Sequence, residues 1–114
     1  MRSETNEQVV RSYFDIWNSG NGENADRILD PKFIDYSHQD VQGIEEFRET
    51  LRATKAKFPD FNIEVVSIAS DADTVFVYGK ITRTVGSDRK VSEALWLFSL
   101  QQGKIIAWKT GPIS

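Results

Sequence analysis

The sequence has no cysteine and only one histidine, His38. Disulfides and thiolate-held metals are thereby excluded, and a centre built from several imidazoles cannot form. The carboxylates left as ligands are scattered along the chain, so neither a metal nor another cofactor is expected. No apolar run is long enough to span a bilayer, and the polar start Met1-Arg2-Ser3-Glu4 lacks the apolar stretch of a signal peptide. Basic residues number 14 against 17 acidic ones, a net charge of -3, which argues against a nucleic-acid partner. At 114 residues the chain is long enough for one core and too short for two. These absences predict a single domain over residues 1–114, soluble, cytoplasmic and free of metal, with neither nucleic acid nor membrane as partner.

What is present changes period half-way along. Val9, Val10, Tyr13, Phe14 and Trp17 recur at three- and four-residue spacing, predicting a helix over Thr5–Ser19 that stops at Asn18-Ser19-Gly20-Asn21-Gly22. A short helix fits Glu23–Leu29, a strand fits Phe33–His38, and Gly43 precedes a long helix with Ile44, Phe47 and Leu51 inward, ended by Pro59. From Phe61 the period is two. Strands are predicted from Phe61 to Val65, Thr74 to Val85, Val91 to Leu100 and Lys104 to Thr110, with tight turns at Asp71-Ala72-Asp73, Gly86-Ser87-Asp88 and Gln101-Gln102-Gly103. Helices followed by an antiparallel meander give an α+β fold, with the helices on one face.

The run Phe33-Ile34-Asp35-Tyr36-Ser37-His38 sets a carboxylate, a phenol and an imidazole within four positions. No other stretch brings three kinds of proton-handling group so close. If the strand stays regular through His38, Tyr36 and His38 share a face and Asp35 takes the other, near the rim or outside. A bulge would exchange the two faces. Each residue also has a plainer reading: His38 as a surface residue in a turn with Gln39-Asp40, Asp35 as a solvent-facing carboxylate, Tyr36 as core. Glu93 is unusual in the middle of a strand and is a candidate cavity acid as well as an ordinary exposed glutamate.

The order of elements resembles the nuclear transport factor 2-like fold, a cone of curved antiparallel sheet wrapped around N-terminal helices. The local phrases resemble its SnoaL-like polyketide cyclase group: Trp17-Asn18-Ser19-Gly20-Asn21, then Asp30-Pro31-Lys32-Phe33-Ile34-Asp35-Tyr36, then Lys57-Phe58-Pro59-Asp60-Phe61, then Asp71-Ala72-Asp73-Thr74-Val75, and finally Gly103-Lys104-Ile105 through Trp108. The resemblance implies an acid a few places after the last tryptophan, but Lys109 to Ser114 include no carboxylate. The cyclases' histidine beside the strand aspartate corresponds to Tyr36. The base of the ketosteroid isomerases, which share the fold, falls at about Asp35. The tyrosine and asparagine of the limonene epoxide hydrolases are placed like Tyr36 and His38, and Arg83 stands in the strand of their Arg-x-Asp pair with no aspartate following.

In a cone fold some rings line a pocket rather than fill the core. Tyr13, Trp17, Phe58, Trp96 and Trp108 are the expected wall, with Glu93 a polar group among them. The resemblance implies a small cofactor-free enzyme of cyclase, isomerase or dehydratase type. It would bind an apolar carbonyl compound, with Asp35 or His38 as base and Tyr36 as hydrogen-bond donor to the oxyanion. A non-catalytic binder of small hydrophobic molecules and a dimeric interaction module are the alternatives. A homodimer is expected, because Val75 and Val77 face one side of their strand while Phe76 and Tyr78 make the other side apolar too.

Overall fold

The computed structural model describes residues 5–113. Helix α1 (Asn6–Ser19) opens on a capping box: the Gln8 N–H donates to Thr5 Oγ1 and the Thr5 N–H to Gln8 Oε1, so two otherwise unpaired donors are satisfied reciprocally. It ends at Gly20, whose φ of 75° is a left-handed cap that a side chain would strain. The second helix, α2 (Ala25–Ile28), is a single turn, shorter than the predicted segment. Strand β1 (Leu29–Asp35) follows directly, then α3 (Gly43–Lys57) and the four strands β2 (Asn62–Asp71), β3 (Thr74–Val85), β4 (Asp88–Gln101) and β5 (Lys104–Pro112).

The sheet order is β1-β5-β4-β3-β2. The β2–β3–β4–β5 meander is antiparallel, whereas β1 joins the edge parallel to β5. The register of that edge pair slips, with β1 advancing from Leu29 to Ile34 while β5 advances only from Ile105 to Ala107. Pro31 lies in the slip; it has no N–H for a ladder, and an edge bulge is where a strand tolerates it. A second slip, in β2 between Val65 and Ser67, bends the sheet into the open cone.

The helices cover the concave side. Val75 and Val77 of β3 and Ala94, Trp96, Phe98 and Leu100 of β4 alternate inward and are buried against Val10, Tyr13 and Phe14 of α1 and Phe47 and Leu51 of α3. The Tyr13 ring is central: Phe14, Phe98 and Trp108 meet it edge-on at 5.2, 5.2 and 5.3 Å, the geometry that aromatic quadrupoles favour. The convex side is apolar as well, with Phe76 48% and Leu95 54% exposed. Among the described residues no helix is long and apolar enough to cross a membrane.

Candidate active site

The predicted strand Phe33–His38 ends three residues early, and its side chains face the opposite way from the one expected. Phe33 and Asp35 alternate inward and are buried, while Ile34 points out. The chain then turns. Asp35 Oδ1 accepts the Ser37 N–H at 3.0 Å and the His38 N–H at 3.2 Å, an aspartate-centred turn that competes with a continuing strand. The expectation that Tyr36 and His38 face the cone with Asp35 outside is therefore corrected: Asp35 faces in, and Tyr36 is exposed.

Tyr36 lies on the outer surface, with Lys109 Nζ 5.2 Å from the centre of its ring. Ser37 fastens the turn to β5: its hydroxyl donates to the Thr110 carbonyl and accepts the Thr110 N–H, both at 2.9 Å. His38 swings back over Asp35, leaving Nδ1 3.3 Å from Oδ2. Its side chain is 69% exposed while that of Asp35 is 12% exposed. The imidazole thus sits at a mouth and the carboxylate inside it.

Behind them is a cavity of about 350 Å³ bounded by Tyr13, Trp17, Asp35, His38, Phe47, Trp96 and Trp108, with Arg83, Thr54 and Thr110 among its polar lining. Of the expected wall, Tyr13, Trp17, Trp96 and Trp108 come together here. Phe58 does not: its ring lies under Lys57 Nζ and Arg83 Cζ, 5.4 and 5.7 Å from its centre. Glu93 is also elsewhere. Its neighbour Ala94 turns inward with Trp96, so alternation puts Glu93 on the convex face, where it accepts a hydrogen bond from the Tyr78 hydroxyl. That bond favours the neutral phenol and raises the Tyr78 pKa.

Tyr13 has a distinct electrostatic position. Burial pushes its phenol pKa well up; a hydrogen bond from the Trp17 indole opposes this in part, and the nearby Asp35 charge adds to the rise. The phenol therefore keeps its proton. Asn18 ties the end of α1 to the start of β2: its Nδ2 donates to the Ile63 carbonyl at 2.8 Å and its Oδ1 accepts the Ile63 N–H at 2.7 Å. Lys55 Nζ reinforces it, donating to the carbonyls of Asn18 and Phe61. Trp17 packs there against Phe47 and Phe61, with ring centres 5.7 and 5.6 Å apart.

Strand β5, on which the cyclase resemblance would place an acid, contributes Thr110 instead. Among the described residues no three of His, Asp and Glu are grouped so as to hold a metal ion. Sequence reasoning missed Phe47, Thr54, Thr110 and Arg83 as lining. The signal for Arg83 was available: it continues the alternation Val75, Val77, Gly79, Ile81 that marks the concave face of β3.

A family model described as SnoaL-like domain matches residues 10–108. The chain belongs to the SnoaL-like family. Solved structures agree at the level of the fold. A SnoaL-like polyketide cyclase from Agrobacterium tumefaciens superposes with a TM-score of 0.82 at 17% identity, over 96% of this chain and 91% of that one. IdmH from Streptomyces antibioticus gives a TM-score of 0.82 at 16% identity, over 96% and 93% of the two chains. A hypothetical protein with a ketosteroid isomerase-like fold from Catenulispora acidiphila, solved in complex with trimethylamine, gives 0.80 at 12% identity, over 94% and 86%. No curated protein matches the sequence. This SnoaL-like chain therefore has a small cyclase- or isomerase-type fold, and its chemistry must be argued from its own cavity.

Proposed function

We propose that the protein is a cofactor-free acid–base enzyme that moves a proton next to the carbonyl of an apolar compound held in the cone. The observation that carries this reading is the inward Asp35 carboxylate at the edge of a cavity walled by Tyr13, Trp17, Phe47, Trp96 and Trp108. A carboxylate there can take a proton from the carbon beside a carbonyl, leaving an enolate. Tyr13, kept neutral by burial, supplies the hydrogen bond to the enolate oxygen that the sequence suggested for Tyr36. His38, stacked on Asp35 at the mouth, passes the proton between the carboxylate and water. Return of the proton to a second carbon completes an isomerisation; attack of the enolate carbon on a second carbonyl, whose oxygen then takes the proton back from Asp35, completes a cyclisation.

Binding comes first. The three tryptophans all touch the cavity, so titration of an apolar ketone such as 2-tetralone should shift all three indole N–H signals in an NMR spectrum. If none moves at millimolar ketone, the cone is not the ligand site and the reading falls. A non-catalytic binder is the second reading, favoured by Thr110 standing where the cyclase resemblance implies an acid; it keeps the indole shifts without proton transfer.

The same reading includes a homodimer. The convex face carries Phe76, Tyr78, Leu95, Leu97 and Ala69 around a groove of about 540 Å³. A two-fold contact through this apolar face would remove the patch from water.

A further inference from the structure

Among the described residues of the cavity lining, Arg83 is the one charged side chain to which the proposed chemistry gives no role. It lies on β3, three strands from the edge strand that carries Asp35. Three strand spacings are about 14 Å along the sheet, so the two side chains enter the cavity from strands on different sides of it. Among the described residues no carboxylate pairs with it. Its partner directly across the ladder is Lys90, and side chains so paired leave the sheet on the same side, where like charges oppose each other. Lys57 adds a third cation, since it shares the Phe58 ring with Arg83. Asp60, in the loop before β2, is bound instead to the N–H and hydroxyl of Thr84, at 3.0 and 2.6 Å. Arg83, Lys90 and Lys57 thus gather positive charge around this end of the cavity, and among the described residues none of the three makes an ion pair with a carboxylate.

We infer that the ligand of the cone is an apolar carbonyl compound bearing a carboxylate, and that Arg83 reads that carboxylate while Asp35 addresses the carbonyl end. The inference rests on the proposed reading of the cone as the ligand site and deepens it by naming the substrate class. A guanidinium presents paired N–H donors to a carboxylate, and at a half-buried site that bond is worth more than in water. The rings between the two ends accept the apolar body. The carboxylate then fixes which carbon stands before Asp35, so recognition at one end sets the position of chemistry at the other.

The test uses two ligands of nearly the same shape, 2-naphthylacetate and 2-naphthylacetamide, titrated by calorimetry at low salt with the indole N–H signals as a check on location. Wild type should bind the carboxylate about tenfold to a hundredfold tighter than the amide, the range expected for one charge-assisted bond. Arg83→Gln should abolish that preference while leaving amide affinity within about threefold, and Arg83→Lys should keep part of it. Equal binding of the two ligands by wild type, a preference that survives Arg83→Gln, or an equal loss for both ligands would overturn the inference. If the amide binds in the cone and only the preference is missing, the cone remains the ligand site and the substrate class is wrong. If neither ligand shifts an indole signal, the cone reading and this inference fall together.

Discussion

Gly79 is the residue whose replacement should most clearly damage both the cone and its cavity. It lies opposite Val65 on β2, beside the slip that bends the sheet. A Cβ built on Gly79 would stand 2.6 Å from the Glu64 carbonyl oxygen and 3.1 Å from Cζ3 of Trp96, a wall residue. Two effects compete in Gly79→Ala. Alanine reduces the freedom of the unfolded chain and stabilises by about 0.4–1 kcal/mol where it fits. Overpacking a core costs about 1–3 kcal/mol, and the nearer clash here is with backbone, which cannot rotate away. The clash should win by about 1–2 kcal/mol. At about 3–6 °C per kcal/mol for a domain of this size, Tm falls by about 3–12 °C. Circular dichroism melts read the loss, and because Trp96 must move, affinity for 2-tetralone should fall with it. A Gly79→Ala variant that melts at or above the wild-type temperature would refute the close-approach argument.

Other consequences follow from single contacts. Tyr13→Phe should slow α-proton exchange of bound ketone by about a hundredfold or more, the usual effect of losing one oxyanion donor, with binding retained; an unchanged rate would remove Tyr13 from the mechanism. The two Thr84 bonds hold the Asp60 carboxyl below its ordinary value of 3.8, so its contribution to stability is present above that pH and lost as pH falls through the lowered value. Asp60→Ala should therefore lower the urea midpoint near neutrality, and the gap to wild type should close below pH 3.8; a gap that widens in acid would contradict the assignment. Phe76→Glu puts a charge in the middle of the convex apolar face and should give a monomer in analytical ultracentrifugation under conditions where wild type should sediment as the proposed dimer. A wild-type protein that sediments only as a monomer at micromolar concentration would exclude the dimer.

The sequence made the architecture readable because its two periods are clean: three and four residues in Val9, Val10, Tyr13 and Phe14, and two in Val75, Val77 and in Trp96, Phe98. The cavity wall was partly readable for the same reason, since Tyr13, Trp96 and Trp108 lie on the faces those periods define. The facing of Asp35 follows from Phe33, since the two share a face on any regular strand. The course of Tyr36 and His38 was not readable, because it depends on where β1 stops, and the stop comes from Asp35 itself accepting the Ser37 and His38 N–H groups. The parallel pairing of β1 with β5 was equally hidden, since it joins segments about seventy residues apart and leaves no local pattern. Glu93 was misplaced for a simpler reason: alternation from Trp96 already put it on the convex face, and its presence in mid-strand drew attention away from that count.

The measurement that tests the central claim most directly is exchange of the α-protons of 2-tetralone in deuterium oxide, followed by proton NMR with wild type and with Asp35→Asn. Asparagine keeps an oxygen for the Ser37 and His38 N–H groups, so the turn survives and only the base is lost. Wild type should accelerate exchange over buffer, and Asp35→Asn should lower the enzymatic rate by about 10²–10⁴-fold while indole shifts show that the ketone still binds. Exchange that is no faster than buffer with wild type, or equally fast with Asp35→Asn, would contradict the assignment of Asp35 as the base.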